Sequence, residues 1–199
     1  MKYIYELHNK NMRSFISIEI DDSLLDNICD LQSKIKKLNV NIKFVEIANL
    51  HFTVNFLGDI NDSQLDEISN SLRFLSYERE FKINISGTGY FGNEHHIRNV
   101  WLGVKVGKGE LLALMKKINE AVKIGERINV PHLTICRVKS NENNENLLDF
   151  INRNTNMNIG EMFVKNVKIK KSVLTATGPV YSDLYSFMMG SGEQRTTGF

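Results

Sequence analysis

Two stretches of this sequence share one pattern, and that pattern constrains the fold more than any other feature. His51-Phe52-Thr53-Val54 and His132-Leu133-Thr134-Ile135 each alternate polar with apolar residues. Side chains of a strand point to opposite faces in turn. Alternation then sends Phe52, Val54 and Phe56 to one face and His51, Thr53 and Asn55 to the other. In the second stretch Leu133 and Ile135 face a core, while His132, Thr134 and Cys136 share the opposite side. Each stretch predicts a half-buried strand that sets an imidazole beside a hydroxyl.

The surroundings of the two stretches largely repeat as well. Arg13 to Ile20 alternates as a strand, and Leu24, Ile28, Leu31, Ile35 and Leu38 follow at helical spacing behind a cap at Asp21 or Asp22. A short strand at Ile42–Glu46 leads to the first motif, read as Leu50–Leu57 and ended by Gly58-Asp59. Asp62 or Ser63 opens a helix with Leu65, Ile68, Leu72 and Leu75 inward, and Phe81, Ile83 and Ile85 alternate as a strand. Ser86 to Asn99, rich in Gly and Asn, reads as a loop and as the seam between two halves. The order then returns: a strand through Val100 to Val106, a helix stripe from Leu111 to Val122, and the second motif strand from Val130 to Val138. A polar loop, a short helix at Leu147–Ile151, and strands at Phe163–Val173 and Val180–Phe187 around Gly178-Pro179 close the chain. Several neighbours are joined too tightly for parallel crossovers. The expected fold is α+β and bilobal: two pseudo-symmetric lobes of mainly antiparallel sheet, helices on the outer faces, and a central cleft.

Composition narrows the function classes. A chain of 199 residues with 42% hydrophobic content suits one domain with a substantial core. The formal net charge of +2 argues against a strong nonspecific grip on duplex DNA. Cys29 and Cys136 have no metal-ligand spacing and fit reduced, cytoplasmic usage. No apolar run is long enough to cross a bilayer, and residues 1–11 carry no secretory signal pattern. The cytoplasm is the expected location, with no membrane partner and no obligate protein partner, and the chain is expected to be a monomer.

The paired motifs have a natural chemical use. Imidazole gives or takes a proton near neutral pH. Attack of water on a cyclic phosphate needs a base for the water and an acid for the departing ribose oxygen. Two histidines in opposite protonation states supply both, and threonine hydroxyls can donate to the phosphoryl oxygens where charge accumulates. Neither a metal nor a bound cofactor is required. One His-x-Thr alone is usually a structural pair; two copies in matching positions of similar halves favour a shared site.

At this point the sequence resembles a known family. MRSFISIEI, NLHFTVNFLGDI, the GTGYFGN segment with VWLGV, VPHLTICRVK and SVLTATGPVYSDL together look like a two-histidine (2H) phosphoesterase, in the branch of RNA 2',3'-cyclic phosphodiesterases also called 2'-5' RNA ligases. The similarity runs from about Met12 to about Phe187. It implies acid–base work by His51 and His132 and phosphate binding by Thr53 and Thr134. An arginine five residues after the second His binds phosphate in the resembling enzymes, and Arg137 stands there; strand alternation requires a twist or bulge to bring it to the cleft. The implied reaction opens an RNA-terminal 2',3'-cyclic phosphate to a 2'-phosphate without a metal, with reverse 2'-5' ligation as the same site run backwards. The alternatives are a noncatalytic nucleotide or RNA binding module on the same scaffold, and a 2',5'-oligoadenylate phosphodiesterase. The expected partners are RNA ends or cyclic nucleotides.

Three further features carry weaker expectations. Tyr90 and Phe91 could stack on a base, with packing in the seam as the plainer role. His95-His96 beside Glu94 is poor evidence for a metal. Lys165, Lys168, Lys170 and Lys171 read as an RNA-tracking stripe or a solvated edge guarded by lysines. The expected organisation is an extension at residues 1–11, one bilobal domain at 12–188, and a flexible tail at 189–199.

Overall fold

Ten strands and four helices follow one another among the described residues of the computed structural model, which are 11–140, 142–176 and 178–190. The strands are β1 (Met12–Glu19), β2 (Ile42–Phe44), β3 (His51–Ile60), β4 (Phe81–Asn93), β5 (His96–Val104), β6 (Glu126–Arg127), β7 (Leu133–Val138), β8 (Asn158–Val164), β9 (Asn166–Leu174) and β10 (Pro179–Met188). The helices are α1 (Leu25–Lys36), α2 (Asp62–Ser71), α3 (Lys108–Val122) and α4 (Asn144–Arg153). The expected helical stripes are the buried faces: Ile28, Leu31 and Ile35 in α1, and Leu111, Leu114, Met115, Ile118 and Val122 in α3. At the start of α2, Asn61 Oδ1 accepts from the Gln64 N–H at 2.9 Å, and Gln64 Oε1 accepts from the Asn61 N–H at 3.0 Å. This reciprocal cap sets the helix start one residue before Asp62, the earlier of the two expected caps.

The main sheet runs β10-β9-β1-β3-β7-β5-β4-β8, and every named pair is antiparallel. Four strands form one lobe and four the other. They meet where Phe52 of β3 pairs with Leu133 of β7, the one register pair the two motif strands share. Both side chains are fully buried. Burying a side chain of this size stabilises by about 1.5–3 kcal/mol, so the junction is anchored from the core side while the strands diverge on the other.

The lobes interlock. β2 leads into the first motif yet pairs with β7, and β6 leads toward the second motif yet pairs with β3. Val45 N–H donates to Ile135 O at 3.0 Å, and Ile128 N–H donates to Val54 O at 3.2 Å. Helices are exchanged in the same sense. α1 follows β1 but packs on β7 and β8, and α3 follows β5 but packs on β3 as well as on β4. The two halves thus complete each other across the junction.

Three sequence expectations are corrected here. Ser86–Asn99 is not a loop: β4 and β5 form a hairpin through it, with Tyr90 opposite Val100 and Phe91 opposite Asn99. Its glycines misled the reading, because a Cβ at Gly89 would lie 2.3 Å from the Trp101 ring, so this strand position is kept bare for close ring packing. The strand expected at Phe163–Val173 is two strands, β8 and β9, separated by Lys165 and placed in opposite lobes. β3 does not stop at Gly58; it continues to Ile60, with Gly58 at φ +74 beside a bulge against β1. At the ends, residues 1–10 and 191–199 lie outside the described residues. Met189 is buried and Gly190 bridges to Arg79.

Candidate active site

The motif strands bring His51 and His132 to one cleft of about 410 Å³, together with Thr53, Thr134 and Arg137. Both rings are held alike. His51 Nδ1 lies 2.7 Å from Asn49 O, and His132 Nδ1 lies 2.7 Å from Val130 O. A carbonyl only accepts, so each Nδ1 carries its proton and donates. That leaves both Nε2 atoms free of this duty and available to exchange a proton. Among the described residues, neither threonine hydroxyl has a hydrogen-bond partner in the protein.

Each ring also sits against two aromatics. His51 packs on Phe15 at 4.9 Å and on Tyr181 at 5.5 Å between centroids. His132 packs on Phe91 at 4.7 Å and faces Trp101 at 6.4 Å. This apolar shell has an electrostatic cost. Burial pulls the His51 pKa down to about 4, against the raising effects of its Asn49 hydrogen bond and the Glu19 charge. Lys170 and His132 push it in the same direction as burial. His132 is also lowered by burial, against its bond to Val130.

Strand irregularities aim the remaining groups. In β7, Val100 pairs with Cys136 and Trp101 with Thr134, which leaves Ile135 as the extra residue of a bulge. Beyond it the alternation inverts: Cys136 is buried, its thiol pushed up to about 12 by that burial, and Arg137 emerges into the cleft. This is the bulge that Arg137 needed. It also overturns the expectation that Cys136 shares the face of His132 and Thr134. β3 bulges at the matching residue: Ile16 pairs with Asn55 and Ser17 with Thr53, skipping Val54. Asn55 turns inward, and Phe56, expected on the core face, is 44% exposed and lines the cleft. Inside, Asn55 Nδ2 donates to Asn119 Oδ1 at 2.7 Å and to Ile124 O at 3.0 Å.

The chain belongs to the LigT-like phosphoesterase family. Residues 18–101 match the family described as LigT like Phosphoesterase. The RNA 2',3'-cyclic phosphodiesterase of Methanothermobacter thermautotrophicus is 39% identical over 184 residues, covering 89% of this chain and 99% of that protein. The protein of the same description from Archaeoglobus fulgidus is 34% identical over 180 residues, covering 88% and 99%. Among solved structures, TT0787 of Thermus thermophilus superposes with a TM-score of 0.74 at 26% identity, covering 92% of this chain and all of that one.

Around this phosphoesterase site, other sequence-marked residues divide. Phe91 lines the cleft and contacts His132, whereas Tyr90 packs on the core and does not line the cleft. His95 and His96 sit at the exposed β4–β5 turn, their N–H groups donating to Asn93 Oδ1. No group of three or more His, Cys, Asp or Glu residues is arranged to hold a metal among the described residues. The lysine stripe is neither an edge nor an open track. β9 lies between β1 and β10, Lys170 is buried and bonded to Glu19 at 2.8 Å, and Lys168 is bonded to Asp183 at 2.6 Å. Glu19 is in turn the register partner of His51. Sequence reasoning did not single out Phe15, Phe56, Trp101 and Tyr181 as site residues. Their only signal was aromatic residues at strand positions near the motifs, which core packing explains equally well. No helix among the described residues is long and apolar enough to cross a membrane.

Proposed function

We propose that this protein hydrolyses RNA-terminal 2',3'-cyclic phosphates to 2'-phosphates by two-histidine acid–base catalysis. The observation that carries the reading is the matched pair of Nδ1 anchors, each 2.7 Å from a backbone carbonyl two residues earlier, which leaves two Nε2 atoms for one cleft. The names of the curated relatives supply the substrate class.

In the hydrolytic direction, neutral His132 takes a proton from water through Nε2, and the water oxygen attacks phosphorus. The bond to O3' breaks, and His51 Nε2–H protonates that oxygen, leaving phosphate on O2'. Charge accumulating on the non-bridging oxygens is met by the hydroxyls of Thr53 and Thr134 and by the Arg137 guanidinium, which makes no ion pair among the described residues. The acid role requires His51 to carry a second proton; burial, the larger effect, opposes that form, while Glu19 favours it. An anionic phosphodiester seated between the rings adds to that effect and opposes the cost of burial. With a 5'-hydroxyl in place of water as the nucleophile, the same steps in the same direction, forming P–O5' and breaking P–O3', give a 2'-5' linkage.

The test is product analysis on a 2',3'-cyclic nucleotide in the presence of EDTA. A 2'-phosphate product that disappears in both single histidine-to-alanine variants is the expected result. A metal requirement, turnover that persists in both variants, or a 3'-phosphate product overturns the mechanism.

A further inference from the structure

The candidate cleft does not end at His51. A second groove of about 850 Å³ continues from it, and the two share His51, Phe56, Arg137 and Tyr181 along their common wall. That volume lies in the range of small-molecule sites, roughly 300–1,000 Å³, so it suits one further nucleotide unit rather than a long strand. Its cations are Arg13, Lys43, Arg137 and Lys139, and its carboxylates are Glu46, Asp59 and Glu126. Such a near-balance does not make a track for a polyanion; a single phosphate needs a local convergence of donors.

Tyr181 marks that convergence. Arg13, Arg137 and Tyr181 line the groove together, and the phenol feels the positive charge of both guanidiniums. Arg13 is exposed and forms no ion pair among the described residues, even with Asp59, its register partner on β3. The groove also carries apolar surface that the fold leaves uncovered: Phe56 is 44% exposed and Leu174 is 66% exposed. Exposed aromatic and aliphatic side chains beside a phosphate site suit a nucleobase, whose face stacks on such groups.

We propose that this groove takes the nucleotide preceding the terminal one in an RNA chain, with Arg13 and the Tyr181 hydroxyl holding the linking phosphate and Phe56 and Leu174 flanking its base. The assignment rests on the reading above, that the end of an RNA chain lies between the histidines. It makes the enzyme selective for chain ends over free cyclic mononucleotides.

The test compares a 2',3'-cyclic mononucleotide with a dinucleotide ending in a 2',3'-cyclic phosphate. The expected kcat/KM is about tenfold higher for the dinucleotide, the gain expected of one charge-assisted phosphate contact. Arg13→Gln is expected to raise KM for the dinucleotide at least fivefold more than KM for the mononucleotide, and Phe56→Ala to act in the same sense. Equal constants for the two substrates in the wild type, or an Arg13→Gln loss shared equally by both, overturn the proposal. Binding of a mononucleoside 2'-phosphate and of a dinucleotide 2'-phosphate, measured by calorimetry, separates the subsite from the reaction. Tighter dinucleotide binding that Arg13→Gln abolishes, without turnover of either cyclic substrate, supports the groove and overturns the catalytic reading alone. Equal binding overturns the groove whatever the turnover.

Discussion

Residues 51–56 and 132–137 pass through the same series of environments. A ring enters the cleft, an apolar side chain enters the core, a hydroxyl returns to the cleft, a bulged residue follows, a buried residue comes next, and the last side chain emerges into the cleft. The two series part at their ends. The buried position is Asn55 in one and Cys136 in the other, and the emerging one is Phe56 in one and Arg137 in the other. Their flanks differ too: an ionic cluster of Glu19, Lys168, Lys170 and Asp183, of which only Lys170 is buried, beside His51, and aromatic Phe91 and Trp101 beside His132. The lesson is that the repeated backbone presents a symmetric pair of rings to one cleft, while the unlike flanks set a different charge around each; in the proposed mechanism the first gives the two proton carriers and the second the phosphate contact.

Removing either ring probes the symmetric part and has the largest expected effect. His51→Ala and His132→Ala each lower kcat by about 10²–10⁴ on a 2',3'-cyclic nucleotide. Their combination costs much less than the product of the two, because the rings act as a unit. Two independent, multiplying losses break the comparison.

Stability against pH reads the cost of burying His51. Its pKa falls from 6.5 in the unfolded chain to about 4 in the fold. Between those values the unfolded state binds more protons, so stability rises with pH across the window and is lost as pH falls through it. The full shift corresponds to about 3 kcal/mol, and the solvent-facing edge of the ring lowers the effect below that. Denaturant unfolding at pH 7, 5.5 and 4 is expected to show a shallower decline for His51→Gln than for the wild type.

The asymmetric end of each series gives the next effect. Arg137→Gln is expected to lower kcat/KM for a cyclic mononucleotide by about 10- to 100-fold, the worth of a lost charge-assisted contact. Phe56→Ala is expected to change that constant by less than about threefold, because no charge is removed. Similar losses at the two positions mean that Arg137 acts through the fold.

Inside the sheet, Asn55→Ala orphans the buried Asn119 Oδ1 acceptor and should cost about 1–3 kcal/mol in denaturant unfolding, more than Cys136→Ala. The smallest effect belongs to the ionic cluster. Glu19→Gln is expected to lower the pH at which His51 takes a proton, and Lys170→Met to raise it, with His132 unmoved. Proton NMR titration of the ring signals checks the signs, and a merely structural cluster does not produce opposite ones.

Periodicity made the motif strands, the helical stripes and the α+β class legible, because burial on one face imposes a period of two on strands and 3.6 on helices. His51, Thr53, His132 and Thr134 share a cleft face for the same reason. The β4–β5 hairpin was hidden by its glycines, of which Gly89 serves ring packing while Gly87 and Gly92 take positive φ against backbone carbonyls. The polar pair Lys165-Asn166 shifts the alternation from Met162 and Val164 to Val167 and Ile169, a trace that a bulge within one strand would leave equally well, so the passage from one lobe to the other was not legible.

Local chemistry, then, is what the sequence by itself determined about this protein: two half-buried strands, each presenting an imidazole beside a hydroxyl, in an antiparallel α+β chain. The tertiary structure alone decided that β2, β6 and α1 cross over to the other half, that bulges at Val54 and Ile135 exchange the faces beyond them, and that Arg137 reaches the cleft while Cys136 does not. The physical reason is register. A bulge is a mismatch between two strands, and it belongs to the pair rather than to either sequence.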